Sequence, residues 1–165
     1  SIRVYYPGSL FSKYYLSLYF ITEGNLESME YYGADLPSTF VRLDIEEVIN
    51  KVNIREFESS LTGIGDYMVH CWENATYDNQ NGNRIFRYYV YSPIQSAFIY
   101  NAPPIPEYIS DLNSELLNFD DLNLEYTSFV KIDNSNNYAS FINSKFIEPE
   151  ASDDYNLKLI KQIRK

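Results

Sequence analysis

The side chains that could do chemistry in this sequence are one histidine, one cysteine and 23 carboxylates. A serine, cysteine or threonine nucleophile needs a histidine base within hydrogen-bond distance. His70 and Cys71 are neighbours in the chain, and neighbouring residues of a strand point to opposite faces. Because their segment is predicted to be a strand, these two residues cannot form a catalytic pair. We expect His70 to be a packed or surface residue.

Ligands for a metal or a nucleotide are also scarce. A structural zinc site needs four cysteine or histidine ligands, and a catalytic one needs three protein ligands. The segment from Asp133 to Asn137 begins like a calcium loop, but Tyr138 and Ser144 stand where an EF-hand needs glycine and glutamate. The six glycines form no phosphate-binding motif. We therefore predict no catalytic residue, no cofactor and no metal.

Carboxylates alone could support a hydrolase, either as a pair for glycoside hydrolysis or as a magnesium site. Their spacing does not select a pair from the 23 acidic residues, and a solvated turn is the simpler interpretation. A carboxylate-based hydrolase is kept as an alternative. Its candidate residues are Asp120, Asp121, Asp153 and Asp154.

The acidic residues lie mainly in two blocks. The summed charge of these blocks is more negative than the net charge of the whole chain, which is −10. Residues 23–66 contain ten carboxylates and three basic residues, and residues 107–125 contain six carboxylates and no basic residue. Such a field repels nucleic acid and anionic membranes and speeds encounter with basic proteins. We expect a non-enzymatic binding protein whose carboxylates contact the basic nucleic-acid site of another protein. The predicted contact residues are Asp44, Glu46, Glu47, Glu56, Glu58, Asp111, Glu115, Asp120, Asp121, Tyr89 and Tyr91.

Aromatic residues are abundant, with 17 tyrosines and 10 phenylalanines. Tyr89 and Tyr91 share one face of a predicted strand with Arg87 and could stack on bases, but the only basic cluster is the short segment 158–165. We expect no direct nucleic-acid binding, and an aromatic surface that faces a partner. The alternative is a viral or phage structural protein whose aromatic strands make homo-oligomeric contacts, a homodimer among them.

Two short segments carry a family resemblance. Leu43 to Val48, followed by Asp66 to His70, resembles a stretch of the ArdA-type antirestriction proteins, which are acidic DNA mimics of similar length. The resemblance spans about thirty residues and contains no catalytic motif. It agrees with the hypothesis drawn from the acidic charge and the lack of catalytic residues, which is an inhibitor or immunity-type protein that blocks a nuclease, a restriction or CRISPR effector, a polymerase or a regulator.

The elements that must position these residues are predicted to form a mixed α+β fold, mostly an antiparallel sheet built from hairpins. Asn81-Gly82 is a strong hairpin turn, because this pair tolerates positive φ angles. It joins strands Tyr67–Glu73 and Arg84–Ser92. Phe86, Tyr88 and Val90 should face one way, opposite to Ile85, Arg87, Tyr89 and Tyr91. Further strands are predicted in 2–21, around Pro7-Gly8, and in 97–101, 124–132 and 138–142.

Two or three helices complete the predicted fold. Apolar residues recur at helical spacing in 44–61, in 107–117 and from Asp154 to the end. Residues 23–39 contain Gly24, Gly33 and Pro37 and are predicted to be mainly loop.

The length of 165 residues suits a single domain, with a weak subdomain boundary at the proline-rich segment 102–106. The chain has no run of 18 apolar residues, so we expect no membrane contact. A single cysteine cannot form an intrachain disulfide. We expect an intracellular, cytoplasmic protein, in an infected host cell if the chain is viral.

Overall fold

The computed structural model describes residues 12–35, 37–78, 82–104, 119–133, 138–147 and 157–165. Strands account for 63% of these residues. In chain order the strands are β1 (Tyr14–Thr22), β2 (Asn25–Gly33), β3 (Ile45–Lys51), β4 (Phe57–Gly63), β5 (Tyr67–Asp78), β6 (Gly82–Pro93), β7 (Ala97–Tyr100), β8 (Asn123–Ile132) and β9 (Leu157–Arg164). A 3₁₀ turn, Phe119–Asp121, precedes β8, and a short helix, α1 (Tyr138–Ile142), continues into a π-helical turn, Asn143–Ile147.

The strands form two antiparallel sheets. The large sheet has six strands in the order β1-β2-β9-β8-β5-β6, and the small sheet has three in the order β3-β4-β7. Alternate residues of both sheets point into one shared apolar core. Phe57 of β4 contacts Trp72 of β5, with ring centroids 5.4 Å apart and planes at 90°. The two sheets therefore pack face to face as a sandwich.

The hairpin around Asn81-Gly82 is confirmed. β5 and β6 pair from Tyr67 opposite Pro93 to Asp78 opposite Gly82, and Gly82 has a φ of 75°. Phe86, Tyr88 and Val90 pack in the core, whereas Ile85 and Tyr89 are exposed on the other face. The strands predicted at 97–101 and 124–132 are confirmed as β7 and β8, although β7 pairs with β4 in the small sheet.

The predicted α+β class with two or three helices is wrong, because the chain is mostly antiparallel sheet with one short helix among the described residues. The segment 44–61 forms β3 and β4 instead of helices. Ile45, Val48 and Ile49 fit a helical spacing, but they are β-branched and favour a strand. In β3 the inward residues are Ile45, Glu47 and Ile49. The sequence does not reveal this alternation, because a glutamate normally indicates an exposed position.

Other element predictions are also corrected. The helix predicted for the C-terminal segment is wrong, because residues Leu157–Arg164 form the strand β9. In β9, Leu159 and Lys161 pair with β2 and β8 inside the large sheet. The strand predicted at 138–142 is α1. The loop predicted at 23–39 contains β2, because Glu23 and Gly24, with φ of 52° and 83°, form a two-residue hairpin turn.

Several predictions concern residues outside the described part of the chain. These are the first strand of the N-terminal hairpin with its Pro7-Gly8 turn, the helix at 107–117 and the end of the 102–106 boundary. The second strand of that hairpin is confirmed as β1. Within the described ranges, no helix has the length and apolarity needed to cross a membrane.

A buried charge cluster joins the two sheets. The Glu47 side chain, on the inward face of β3, is 0% exposed. Its Oε1 accepts a hydrogen bond from His70 Nε2 on β5 at 2.7 Å, and its Oε2 accepts one from Thr127 Oγ1 on β8 at 2.8 Å. Lys165 Nζ, just after β9, lies 3.2 Å from Oε2. One carboxylate of the small sheet therefore contacts three strands of the large sheet or their ends.

Burial alone would raise the pKa of Glu47, since it penalises the charged form. The hydrogen bonds and charges of His70, Thr127 and Lys165 outweigh burial and lower that pKa from its usual 4.5 to about 2. Nearby, Lys161 Nζ of β9 donates a hydrogen bond to the Ile45 carbonyl of β3 at 2.7 Å. The ionised carboxylate is the stable form in the folded protein, and β3 is held to the large sheet through polar groups.

Replacement of this carboxylate should destabilise the fold. We expect Glu47→Ala to lower the free energy of unfolding by about 3 kcal/mol or more, because it leaves the buried His70 without its acceptor and removes the ion pair of Lys165. Glu46→Ala, a control on the exposed face of the same strand, should change it by less than about 0.5 kcal/mol. Urea unfolding followed by tryptophan fluorescence measures both, and equal losses would contradict the cluster.

The same cluster predicts a dependence on pH. The pKa of Glu47 is lower in the folded protein than in the unfolded chain, so its contribution is fully present above pH 4.5 and is lost as the pH falls toward about 2. The stability gap between the native protein and Glu47→Gln should therefore be larger at about pH 7 than at about pH 3. A gap that stays constant in urea titrations at both pH values would refute the assignment.

Candidate partner-binding surface

Burial of Glu47 removes it from the predicted contact residues. Its neighbour Glu46 points outward and is exposed, as Asp44 is just before β3. In β4, Phe57 is buried, so the next residue, Glu58, lies on the outer face of the small sheet. The structure thus separates Glu46 and Glu47, which the sequence had grouped.

The other predicted acidic residues of the described chain lie just before β4 or in the 3₁₀ turn that precedes β8. Glu56 is exposed immediately before β4. Asp120 and Asp121 are exposed in the 3₁₀ turn, and Asp120 Oδ1 accepts a hydrogen bond from Arg55 Nε at 2.8 Å. Asp111 and Glu115 are outside the described residues. We name the following set the acidic face: Asp44, Glu46, Glu56, Glu58, Asp120 and Asp121.

The acidic face is only partly neutralised by cations. Arg55 pairs with Asp120, and Lys51 Nζ lies 3.6 Å from Glu58 Oε2. Within the part of the chain that the structure describes, Asp44, Glu46 and Glu56 have no ion-pair partner. Among the described residues, this surface therefore combines five exposed carboxylates and the half-exposed Glu58 with the cations Arg55 and Lys51.

Exposed apolar side chains lie on the two edge strands of the small sheet. Val48 and Ile99 are 63% and 69% exposed. Both lie on the outer face of the small sheet, because their strand neighbours Ile49 and Phe98 point into the core. The outer face of the small sheet thus carries a β-branched residue on each of its two edge strands, with Glu58 on the central strand β4 between them.

Tyr89 and Tyr91 are not part of this surface. They point away from the small sheet, on the outer face of the large sheet, with ring centroids 6.4 Å apart. The predicted contact residues are therefore divided between two opposite outer faces of the sandwich. The sequence could not show this, because it does not reveal which strands belong to which sheet.

Carboxylates on the outer face of the large sheet have cationic neighbours. Glu30 Oε2 is 3.7 Å from Lys158 Nζ, Glu73 Oε2 is 2.7 Å from Arg87 Nε, and Glu125 Oε1 is 4.0 Å from Arg164 Nε. Each of these cations is on the strand that pairs with the strand of its carboxylate. Of these two surfaces, the acidic face therefore has the greater excess of carboxylates over cations.

A cleft of about 330 Å³ bears on the hydrolase alternative, because two carboxylates line it. Glu23 comes from the β1–β2 turn, and Glu27 is held by the guanidinium of Arg42. The Arg42 hydrogen bond lowers the pKa of Glu27, which keeps this carboxylate ionised and unsuited to act as a general acid. No group of three or more metal-ligating side chains occurs among the described residues.

His70 and Cys71 occupy opposite faces of β5. His70 is buried between the sheets, where its ring stacks on Phe98 with centroids 5.2 Å apart. Cys71 is also buried, but it contacts the Tyr126 and Tyr89 hydroxyls of the outer face. Burial raises the pKa of the Cys71 thiol, which disfavours the reactive thiolate. The expected packed role of His70 is confirmed.

Cys71 should therefore react slowly with thiol reagents. We expect an aromatic disulfide reagent to modify the native protein at least about tenfold more slowly than the urea-unfolded chain. Time courses of thiol release in buffer and in urea, with a small-molecule thiol as the control for reagent reactivity, measure this ratio. Equal rates would show that Cys71 is accessible.

Comparison with known proteins does not add a family. No family model matches the chain, and neither the curated proteins nor the solved structures contain a match. The resemblance to the antirestriction proteins has no support from these comparisons.

Proposed function

We propose that this chain is a non-enzymatic, cytoplasmic binding protein whose acidic face docks on a basic surface of another protein. The observation that supports this most directly is the unequal distribution of charge. Among the described residues, Asp44, Glu46 and Glu56 of the acidic face are exposed and have no ion-pair partner, whereas Glu30, Glu73 and Glu125 on the opposite side each have a cation within 4.0 Å. Evenly distributed solubilising charge would not favour one sheet.

The acidic face has the physical properties of a docking surface. Like charges on neighbouring strands repel one another, and a basic partner relieves that repulsion while it accelerates encounter. Val48 and Ile99, beside Glu46 and Glu58 on the same outer face, supply apolar area that a partner can cover. Steering by the carboxylates and burial of the two aliphatic side chains would act together in one complex.

The chemistry of the partner follows from the charge of this face. Proteins that bind nucleic acid present lysine and arginine in positions that match phosphates. Carboxylates carried by a rigid sheet can occupy such positions. The specific form of the proposal is an inhibitor or immunity-type protein that blocks the nucleic-acid site of an enzyme or effector.

Charge reversal on the acidic face tests this function. A partner captured from cell extract with the native chain should bind at least about tenfold more weakly at about 0.5 M than at about 0.05 M salt, because salt screens exposed charges. Glu46→Lys should weaken binding at low salt about tenfold, mainly by slowing association. Surface plasmon resonance at both salt concentrations gives the two rate constants.

The matched control is Glu125→Lys, which makes the same change in net charge on the opposite side of the sandwich. It should slow association by less than about twofold if the contact is local to the acidic face. Binding that is insensitive to salt, or equally weakened by both variants, would contradict docking through the acidic face.

A further inference from the structure

We propose that the outer face of the large sheet is a self-association surface, through which two copies of this chain form a symmetric dimer. The surface, named here the tyrosine face, is defined by its exposed apolar residues on strands β1, β2 and β6: Tyr15, Tyr19, Ile21, Tyr32 and Tyr89. This inference does not depend on the proposed function, because it concerns the other side of the sandwich.

Strand register places these residues on one continuous surface. Tyr15 lies opposite Tyr32 in the β1–β2 pair, and Tyr15, Tyr19 and Ile21 alternate along β1. A single row of paired residues crosses all six strands of this face: Ile21, Leu26, Gln162, Ser128, Val69 and Tyr91. The tyrosines that are distant in sequence therefore belong to the same sheet face.

The apolar side chains of this face have large exposed fractions. Ile21, Tyr15 and Tyr19 are 76%, 62% and 60% exposed. The segment from α1 covers the β5–β6 part of the same face, where Phe141 stacks on Tyr67 with ring centroids 3.8 Å apart. Its last residues, Phe146 and Ile147, are again exposed and extend the apolar surface. Contiguous exposed apolar patches on a soluble chain mark interaction surfaces.

The charge distribution favours a second copy as the occupant. A chain with a net charge of −10 repels its own copies wherever acid is in excess. On the tyrosine face the carboxylates Glu30, Glu73 and Glu125 are matched by Lys158, Arg87 and Arg164, and Lys13 lies 5.1 Å from the centroid of the Tyr32 ring. Two copies can therefore approach through this face with little repulsion, whereas two acidic faces cannot.

Symmetry and side-chain chemistry agree with this geometry. A two-fold axis brings the same patch of both copies together, so a patch must be compatible with itself. Tyrosine rings provide a large contact area with a hydroxyl that can stay hydrated or bond across the interface. Sheets packed face to face need about 10 Å between them, which aromatic side chains fill.

A dimer of this kind would present its two acidic faces on opposite outer sides. Each copy would keep Glu46, Val48 and Ile99 accessible, because these residues lie on the far side of the small sheet. The dimer would carry two sites for a basic partner and would bind one partner molecule per subunit.

Sedimentation equilibrium of the purified native chain, without any partner, tests the inference. We expect a mass of twice 19.3 kDa at about 100 μM and a decline toward the monomer on dilution. Tyr19→Glu places like charges in the interface and should raise the dissociation constant at least about tenfold. Tyr19→Phe keeps the ring and should raise it less than about threefold. Circular dichroism verifies that both variants are folded.

The control on the other side of the sandwich is Val48→Glu, which should leave the dimer unchanged. A monomer at about 100 μM would overturn the inference. So would an assembly that Val48→Glu disrupts and Tyr19→Glu does not, since that result indicates head-to-tail contacts through the acidic face. Retention of a labelled single-stranded oligonucleotide by the native chain, lost in Tyr19→Glu, would assign the tyrosine face to nucleic acid instead and would also overturn it.

Discussion

The ion pair and hydrogen bonds of Glu47 determine how the small sheet sits on the large one. Its carboxylate contacts His70, Thr127 and Lys165, which come from β5, β8 and the end of β9. A buried carboxylate is tolerated only when every oxygen is satisfied, so this contact specifies one docking position for β3. Apolar packing of Phe57 against Trp72 supplies area, but it is less directional. The register of β3 in turn decides that Glu46 and Val48 face solvent.

The sandwich separates two kinds of surface that are mixed along the sequence. Exposed carboxylates of 44–58 and of the 3₁₀ turn lie around the small sheet, whereas the exposed tyrosines of β1, β2 and β6 lie on the outer face of the large sheet. Cations from neighbouring strands pair with Glu30, Glu73 and Glu125 of the second face, whereas Asp44, Glu46 and Glu56 of the first have no ion pair among the described residues. Because the two faces differ in charge, contact with a different protein on one side is compatible with contact between two copies of the chain on the other.

The sequence predictions succeeded where the local pattern was unambiguous. The Asn81-Gly82 hairpin, β7 and β8 are where turn residues and alternation predicted strands. The helical assignments of 44–61 and of the C-terminus failed because β3 and β9 each carry a charged residue, Glu47 and Lys161, on the inward face. A charge at a core position breaks the period of two and leaves an apparent helical spacing. In 44–61 the β-branched residues Ile45, Val48, Ile49, Val52 and Ile54 were the available signal for a strand, whereas the C-terminal segment has only Ile160 and Ile163.

The sequence by itself determined the total charge, the abundance of tyrosine, the single histidine and cysteine, and the strongest hairpin. Those properties are local or additive, so no knowledge of the fold is needed to state them. Only the tertiary structure decided which carboxylates reach solvent, which cations neutralise them, and that Tyr89 and Glu46 lie on opposite sides. These outcomes depend on pairings between residues as far apart as Glu47 and Lys165, and such pairings arise from the packing of two sheets rather than from any segment's own preference.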